Sequence, residues 1–383
     1  MNRAKVALVR CGSYDEQEVL AAVEAGLRLL GGPRSFAAPG ERILLKPNVL
    51  VGEPPERCVT THPSVLKAVG KVLGRVTDRL LFGDSPGPGE PLPHLRSAGL
   101  AQAAEELGLE LADFEDGRLV EETRSGQGQA LLIARGALEA DGLVNLAKLK
   151  THMQTRMTGA VKNLYGCVPG RQKRHYHLVY PSVYDFAGLL VRLQLLLNPR
   201  LHIMDGILAM EGNGPRSGKP VQLGVLLFST DPVALDAVMC RLVELDPLYV
   251  PTAGPGRRWG LGTYRDEEIE LVGDSLAGSL NGDFEVQRGP LMDLSGGGML
   301  AFVNSLLGQR PVIDPERCSR CGQCVESCPV QPKALIWRNG ESSHAHPPLY
   351  KPLRCTRCFC CQEICPEGAI TIGRAPLGRL LRR

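Results

Sequence analysis

Nine of the thirteen cysteines in this 383-residue chain fall between Cys318 and Cys365, and that bunching constrains the fold more than any other feature. Eight of them form two runs of identical spacing: Cys318-x2-Cys321-x2-Cys324-x3-Cys328-Pro329 and Cys355-x2-Cys358-x2-Cys361-x3-Cys365-Pro366. Such short spacings let one loop wrap three corners of a cube, and thiolates are soft donors suited to iron. Four-cysteine zinc sites usually show two Cys-x2-Cys pairs with a longer spacer between them. The pattern therefore predicts two [4Fe–4S] clusters. Cys360 lies between the ligands without breaking their spacing and reads as a packing residue. Cys11, Cys58, Cys167 and Cys240 are scattered and read as small core side chains.

The remaining sequence is ordinary for a globular protein. Hydrophobic residues make up 43%, charged residues 22%, and the net charge is +3. This balance excludes a strongly basic nucleic-acid binder as a description of the whole chain. No run of 18 apolar residues suggests a membrane-spanning helix. The first apolar stretch ends at Val9, too soon for a secretory signal, so the expected location is the cytoplasm.

The first 300 or so residues alternate between strand and helix patterns. Lys5–Val9, Ile43–Leu45, Leu80–Phe82, Leu143–Leu146, Leu201–Met204 and Val225–Phe228 read as strands. Helices are expected after Asp15, which with Glu18 forms a capping box, and from Pro63 behind Thr61 or His62. Others are expected over Pro93–Leu107, over Val183–Leu197, and from Pro232 to Leu242 behind Asp231. This is the signature of an α/β domain with a mostly parallel sheet. A small C-terminal α+β unit carries the cysteines. The expected division is 1–305, 311–373 and a basic tail at 374–383, with Ser295–Gly298 and Pro311–Pro315 marking the boundary.

Ligands of open parallel sheets bind beyond the carboxyl ends of the strands, and the residues expected there are polar. They include Lys46 and Asn48, Asp84 and Ser85, and Asn145, Lys148, Lys150, Thr151 and His152. Lys162, Asn163, Asp205, Glu211 and Asn213 complete the set. Converging, they would make a Lys- and His-rich site suited to an anionic small molecule. Lys148, His152, Lys162, His62 and Asp84 are the candidate catalytic residues. Lys46, Asn48, Lys150, Asn163, Glu211 and Asn213 are the candidate binding residues. No P-loop, full dinucleotide fingerprint or Gly-x-Ser-x-Gly elbow is present.

The two cysteine runs resemble those of bacterial two-cluster ferredoxins, in which the fourth cysteine of each run serves the other cluster. That resemblance implies one ligand set of Cys318, Cys321, Cys324 and Cys365, and another of Cys355, Cys358, Cys361 and Cys328. This chain departs from the pattern by two extra residues after Pro329 and a long link from Trp337 to Pro352. The larger domain resembles the DUF362 family of uncharacterised proteins. The resemblance rests on Lys46-Pro47-Asn48, Thr60–Pro63, Gly83–Gly87, Val144–His152, Gly159–Gly166, Asp205-Gly206, Met210–Pro215 and Asp231–Asp236. A C-terminal two-cluster module is a common companion in that family.

Three functions fit these features. The first is an iron–sulfur oxidoreductase, fed by a low-potential donor such as a ferredoxin, flavodoxin or reductase and acting on an anionic substrate or cofactor. The second is an electron carrier or assembly protein whose α/β domain docks a partner. The third is a lyase or isomerase with structural clusters.

Overall fold

Apolar runs that alternate faces at period two build a sheet covered on both sides. The computed structural model describes residues 3–290, 308–338 and 345–374. Its main sheet contains β1 (Ala4–Arg10), β2 (Ile43–Lys46), β3 (Leu80–Phe82) and β4 (Glu110–Leu111). After a separate hairpin of β5 (Gly117–Glu122) and β6 (Gln129–Ala134) come β7 (Gly142–His152), β8 (Arg156–Thr158), β9 (Leu201–Glu211), β10 (Lys219–Ser229) and β11 (Ile269–Gly273). The order is β11-β1-β10-β9-β7-β2-β3-β4, with β8 paired onto β7. Five of its neighbour pairs are parallel, and β10 runs antiparallel to both β1 and β9. The sheet is therefore mixed and mostly parallel.

Helices α1 (Glu16–Leu29), α2 (Pro63–Leu73), α3 (Pro91–Ser97) and α4 (Leu100–Glu105) lie on one side. Their apolar residues, among them Val23, Leu27, Leu66 and Val69, pack with Leu45, Val144, Leu146 and Phe228 of the strands. On the other side lie α5 (Arg135–Leu138), α6 (Ala160–Asn163), α7 (Gln172–Val179), α8 (Val183–Leu197), α9 (Pro232–Leu242) and α10 (Ala253–Arg258). There Leu44, Leu81 and Leu143 meet Phe186 and Leu190, while Val6 and Leu227 meet Leu235 and Val238. Neighbouring strand residues such as Leu44 and Leu45 thus feed opposite cores.

Local chemistry sets the element ends. Asp15 accepts from the backbone N–H groups of Gln17 and Glu18 at 3.0 and 3.1 Å. Glu18 does not close the capping box, because its carboxylate turns back to Gly12 N and Ser13 Oγ instead. His62 caps α2 and Asp231 caps α9. The helix expected over Pro93–Leu107 is split into α3 and α4 at Gly99, whose φ is +70°. The strand expected over Leu143–Leu146 continues to His152, and Val225–Phe228 is the end of the long hairpin partner of β9.

The cysteine-rich unit is closed by its own first and last strands, Gln309–Ile313 and Ile370–Arg374, which pair antiparallel. A second small pair joins Leu335–Ile336 to Leu349–Tyr350. The Ser295–Gly298 boundary, the middle of the 337–352 link and the basic tail after Arg374 lie outside the described residues. Cys11, Cys58, Cys167 and Cys240 are buried, and none of the thirteen cysteines is in a disulfide.

Candidate functional site

The cysteines surround two small cavities. Cys318, Cys321, Cys324 and Cys365 line one, with Ile313, Pro348 and Ile370. Cys328, Cys355, Cys358 and Cys361 line the other, with Pro311, Tyr350 and Phe359. Each cavity thus brings four thiols to an otherwise largely apolar wall, a donor set and setting that fit an iron–sulfur cube. Among the described residues no group of three or more His, Cys, Asp or Glu side chains is placed to hold a single metal ion. Ala334 N donates to Cys328 Sγ and Arg357 N to Cys355 Sγ, both at 3.4 Å. Such bonds to sulfur are among the levers that set a cluster's potential.

A much larger cavity, about 450 Å³, opens beyond the carboxyl ends of β2 and β3. Its floor is a buried polar network. Lys46 Nζ lies 2.7 Å from Asp84 Oδ1, and it also donates to Pro47 O at 2.7 Å and to Asn163 Oδ1 at 3.3 Å. Asn48 Nδ2 donates to the same Asn163 oxygen at 2.8 Å, and Lys150 Nζ donates to Asn48 Oδ1 at 2.8 Å. Asn163 Nδ2 in turn donates to Asn145 Oδ1 at 2.7 Å. Each member locks the next, so the site is held without help from a ligand. Gly166 is obligatory here: a Cβ would sit 1.9 Å from Asp84 Oδ1 and 2.6 Å from Lys46 Nζ.

The cavity is rich in cations. Lys162 lines it and forms no ion pair among the described residues; burial lowers its pKa, and the Glu363 charge partly offsets that. Arg171, Lys173 and Arg174 line it from the start of α7. Lys173 donates to Ser85 O at 2.7 Å and Pro86 O at 3.2 Å, and burial pulls its pKa down to about 7. His177 is buried beside them and is pushed down to about 4 by burial.

The cysteine-rich unit supplies the opposite wall through Ser327, Cys360, Glu363 and Ile364. That wall is pinned to the α/β domain. Gln362 Nε2 donates to Asn213 O, Asn213 Oδ1 and Gly214 O, each at 3.0 Å. Arg216 donates to Ile364 O while its guanidinium also holds Glu53. His152 Nδ1 accepts from the backbone N–H groups of Gln154 and Thr155 at 3.1 and 3.3 Å. The ring proton therefore sits on Nε2, which lies 2.9 Å from Glu363 Oε1 without the alignment of a hydrogen bond. Burial holds His152 neutral, with a pKa down to about 4.

The residues singled out in the sequence divide into three places. Lys46, Asn48, Asp84, Lys162 and Asn163 line the cavity. His152 and Asn213 lie at the junction with the cysteine-rich unit, and Lys150 sits beneath Asn48, donating also to Val59 O. Lys148 and His62 do not reach the cavity. Lys148 Nζ is paired with Asp205 Oδ2 at 2.9 Å and donates to Tyr14 Oη at 2.8 Å. His62 stacks on the Tyr14 ring at 3.6 Å and caps α2. Glu211 accepts from Glu285 N on the far side of the β9–β10 turn. Sequence reasoning missed Arg171, Lys173, Arg174, His177, Cys360 and Glu363. The run Arg171-Gln172-Lys173-Arg174 was the available signal for the first three.

A mixed α/β domain joined to a cysteine-rich unit with small sheets defines an iron–sulfur protein, and residues 310–366 match the 4Fe–4S dicluster domain family. Residues 43–241 match the family described as domain of unknown function DUF362, and the chain belongs to that family. It is 38% identical over 257 residues to a thylakoid-associated protein of Synechocystis sp., covering 67% of this chain and 79% of that one. Among solved structures it is similar to the lactate racemase apoprotein of Thermoanaerobacterium thermosaccharolyticum, with TM-score 0.39 and 15% identity over 63% of this chain. A Thermotoga maritima protein matches with TM-score 0.34 and 9% identity over 58% of this chain. The chain spans 57% of each of these two structures, and neither likeness bears on chemistry. No described helix is long and apolar enough to cross a membrane.

Proposed function

We propose that the chain is an iron–sulfur oxidoreductase acting on a small organic anion held in the 450 Å³ cavity. One observation carries this reading: the same cavity is walled by Lys46 and Lys162 of the α/β domain and by Ser327, Cys360 and Glu363, which lie among the cluster cysteines. Two [4Fe–4S] clusters, held by the two four-cysteine sets, would supply single electrons there when bound. A carrier whose α/β domain only docks a partner has no need of such a cavity.

The side chains divide the work by charge and by fixity. Lys162 and Arg171, with Lys173 beside them, attract and orient the anionic group. Lys46, locked to Asp84, keeps the floor rigid and adds no free charge. Asn48 and Asn163 present amide edges that are already hydrogen-bonded, so they shape the cavity. Lys173 Nζ, donating to Ser85 O and Pro86 O, holds that loop against α7 at the cavity edge. His152, buried beside Glu363 with Nε2 2.9 Å from Oε1, closes the cavity where the two units meet. Leu50, Val51 and Ile364 line the cavity with apolar surface for the uncharged part of the ligand. The proposed partner is a low-potential one-electron donor, a ferredoxin, flavodoxin or reductase. The proposed location is the cytoplasm, with peripheral attachment to a membrane as the name of the thylakoid-associated relative suggests for that relative.

The test is native mass spectrometry of protein purified without oxygen. The wild type is expected to retain a small anionic molecule in addition to two clusters. Lys162→Gln is expected to keep the same iron and lose the molecule. The proposal fails if neither protein retains a ligand and neither is stabilised by a panel of phosphate and carboxylate compounds.

A further inference from the structure

We infer that the two cysteine sets are unequal by construction: Cys328, Cys355, Cys358 and Cys361 form an inward set that borders the ligand cavity, and Cys318, Cys321, Cys324 and Cys365 form an outward set. The inference rests on the reading of two cluster sites. It goes further by assigning which set addresses the ligand and which addresses the outside.

Three observations carry it. First, the cavity wall supplied by the cysteine-rich unit is interleaved with the inward set. Ser327 precedes Cys328, and Cys360 lies between Cys358 and Cys361. A side chain adjacent in the chain to a ligand gives the shortest covalent path from cluster to cavity. Of the outward set's immediate chain neighbours only Ile364, before Cys365, lines the cavity, and that side chain is apolar, while Glu363 stands two residues from a cysteine of each set.

Second, exposure differs between the sets. Cys321 is the only exposed cysteine of the thirteen. Its cavity is bordered by the exposed residues Ser319, Arg320 and Glu367, whereas no residue lining the inward cavity is exposed. The outward set therefore meets solvent at one thiol, which suits contact with an external one-electron donor.

Third, the orientation is fixed. The helix Cys360–Ile364 is held by the three Gln362 hydrogen bonds and by Arg216 on Ile364 O. Gln362 is fully buried. Turning the unit to bring the outward set to the cavity would leave its amide without those three acceptors.

The cavity cation Lys162 gives the test a handle, since Coulomb interactions fall with distance and are weak through solvent. Removing it should disturb the inward cluster and spare the outward one. The experiment uses anaerobically purified holoprotein and redox titration followed by EPR. Cys321→Asp, which withdraws the exposed thiol, is expected to leave a [3Fe–4S] centre at the outward set, so the two centres become spectroscopically distinct. In that background Lys162→Gln is expected to change the oxidised fraction of the remaining [4Fe–4S] centre several-fold at a fixed potential. The [3Fe–4S] centre is expected not to move. A change confined to the [3Fe–4S] centre, an equal change in both, or no change in either overturns the inference.

Should Cys321→Asp fail to load iron, limited ferricyanide oxidation of the wild type gives the same label, because the iron at the exposed thiol is lost first. Iron content keeps the failures apart. Far fewer than about eight irons per wild-type chain removes the two-cluster reading itself. About eight irons with no retained ligand removes only the substrate reading and leaves this titration to decide the order of the sets.

Discussion

Gly166 is where the floor of the cavity can be broken with one methyl group. The Cβ added by Gly166→Ala would lie 1.9 Å from Asp84 Oδ1 and 2.6 Å from Lys46 Nζ. Reaching even a tight contact requires the carboxylate oxygen to retreat by roughly 1 Å. The Lys46–Asp84 separation of 2.7 Å would then widen, and both side chains start out desolvated, since Lys46 is 0% and Asp84 2% exposed. Overpacking alone costs about 1–3 kcal/mol, and separating a buried pair costs about 3–5 kcal/mol. The two costs trade against each other, because yielding at the pair relieves the overlap. The expected loss is therefore about 2–4 kcal/mol. Urea unfolding followed by far-UV circular dichroism reads it as a lower midpoint at unchanged slope. Gly254→Ala is the matched control: its added Cβ meets nothing within 4 Å, so it should be neutral or slightly stabilising. A Gly166→Ala midpoint equal to that of the control would refute the claim that this pair is rigid and desolvated.

Three further outcomes are expected. Cys321→Ser should lower iron, by one atom where the outward cluster falls back to a three-iron centre and by four where it is lost, while Cys360→Ser keeps all of it, and equal iron in the two variants would sink the ligand assignment. Lys148→Met should destabilise by about 3–5 kcal/mol, since it leaves Asp205 buried without its cation, held by Tyr14 Oη and His62 N; ligand retention by the folded variant should be unchanged, and its loss would place Lys148 in the site after all. His202 is buried, and its pKa is pushed down to about 3 by burial. An unfolded chain therefore binds more protons than the native one between about pH 3 and 6.5, and stability falls as pH drops through that window. His202→Gln should flatten the slope there by up to about 1.4 kcal/mol per pH unit in urea titrations, and an unchanged slope would show that His202 does not charge on unfolding.

The sequence was informative where chemistry is local. Cysteine spacing is a short-range property, and the two four-thiol groups surround separate cavities in the grouping the ferredoxin resemblance implies. Caps are also local, and His62 and Asp231 sit where a side chain followed by proline is expected to start a helix. What could not be read was the partner of each polar residue. Asp205 and Lys148 are 57 residues apart and neutralise each other in the core. Asp84 and Lys46 do the same at the cavity edge. Glu363 looks like an ordinary helix residue of the cysteine-rich unit until the fold sets it against His152. The antiparallel direction of β10 was hidden too, because Val225–Phe228 is buried on both faces and carries no period-two signature to tell its neighbours apart.

Strand β7 explains why one short motif led to three destinations. Residues two apart on a strand share a face, so Lys148, Lys150 and His152 form a single stripe along it. The stripe begins inside the core, where Lys148 meets Asp205 and Tyr14. It passes under the cavity, where Lys150 supports Asn48, and ends at the interface, where His152 meets Glu363. An extended strand advances about 6.6 Å for every two residues, and each group is held by a different partner, so the three end at separate places. The stripe instead ties the core, the cavity floor and the cysteine-rich unit to one rigid strand. A substitution in β7 is thus expected to act on a bound ligand indirectly, at Lys150 through Asn48 of the cavity floor and at His152 through the placement of Glu363.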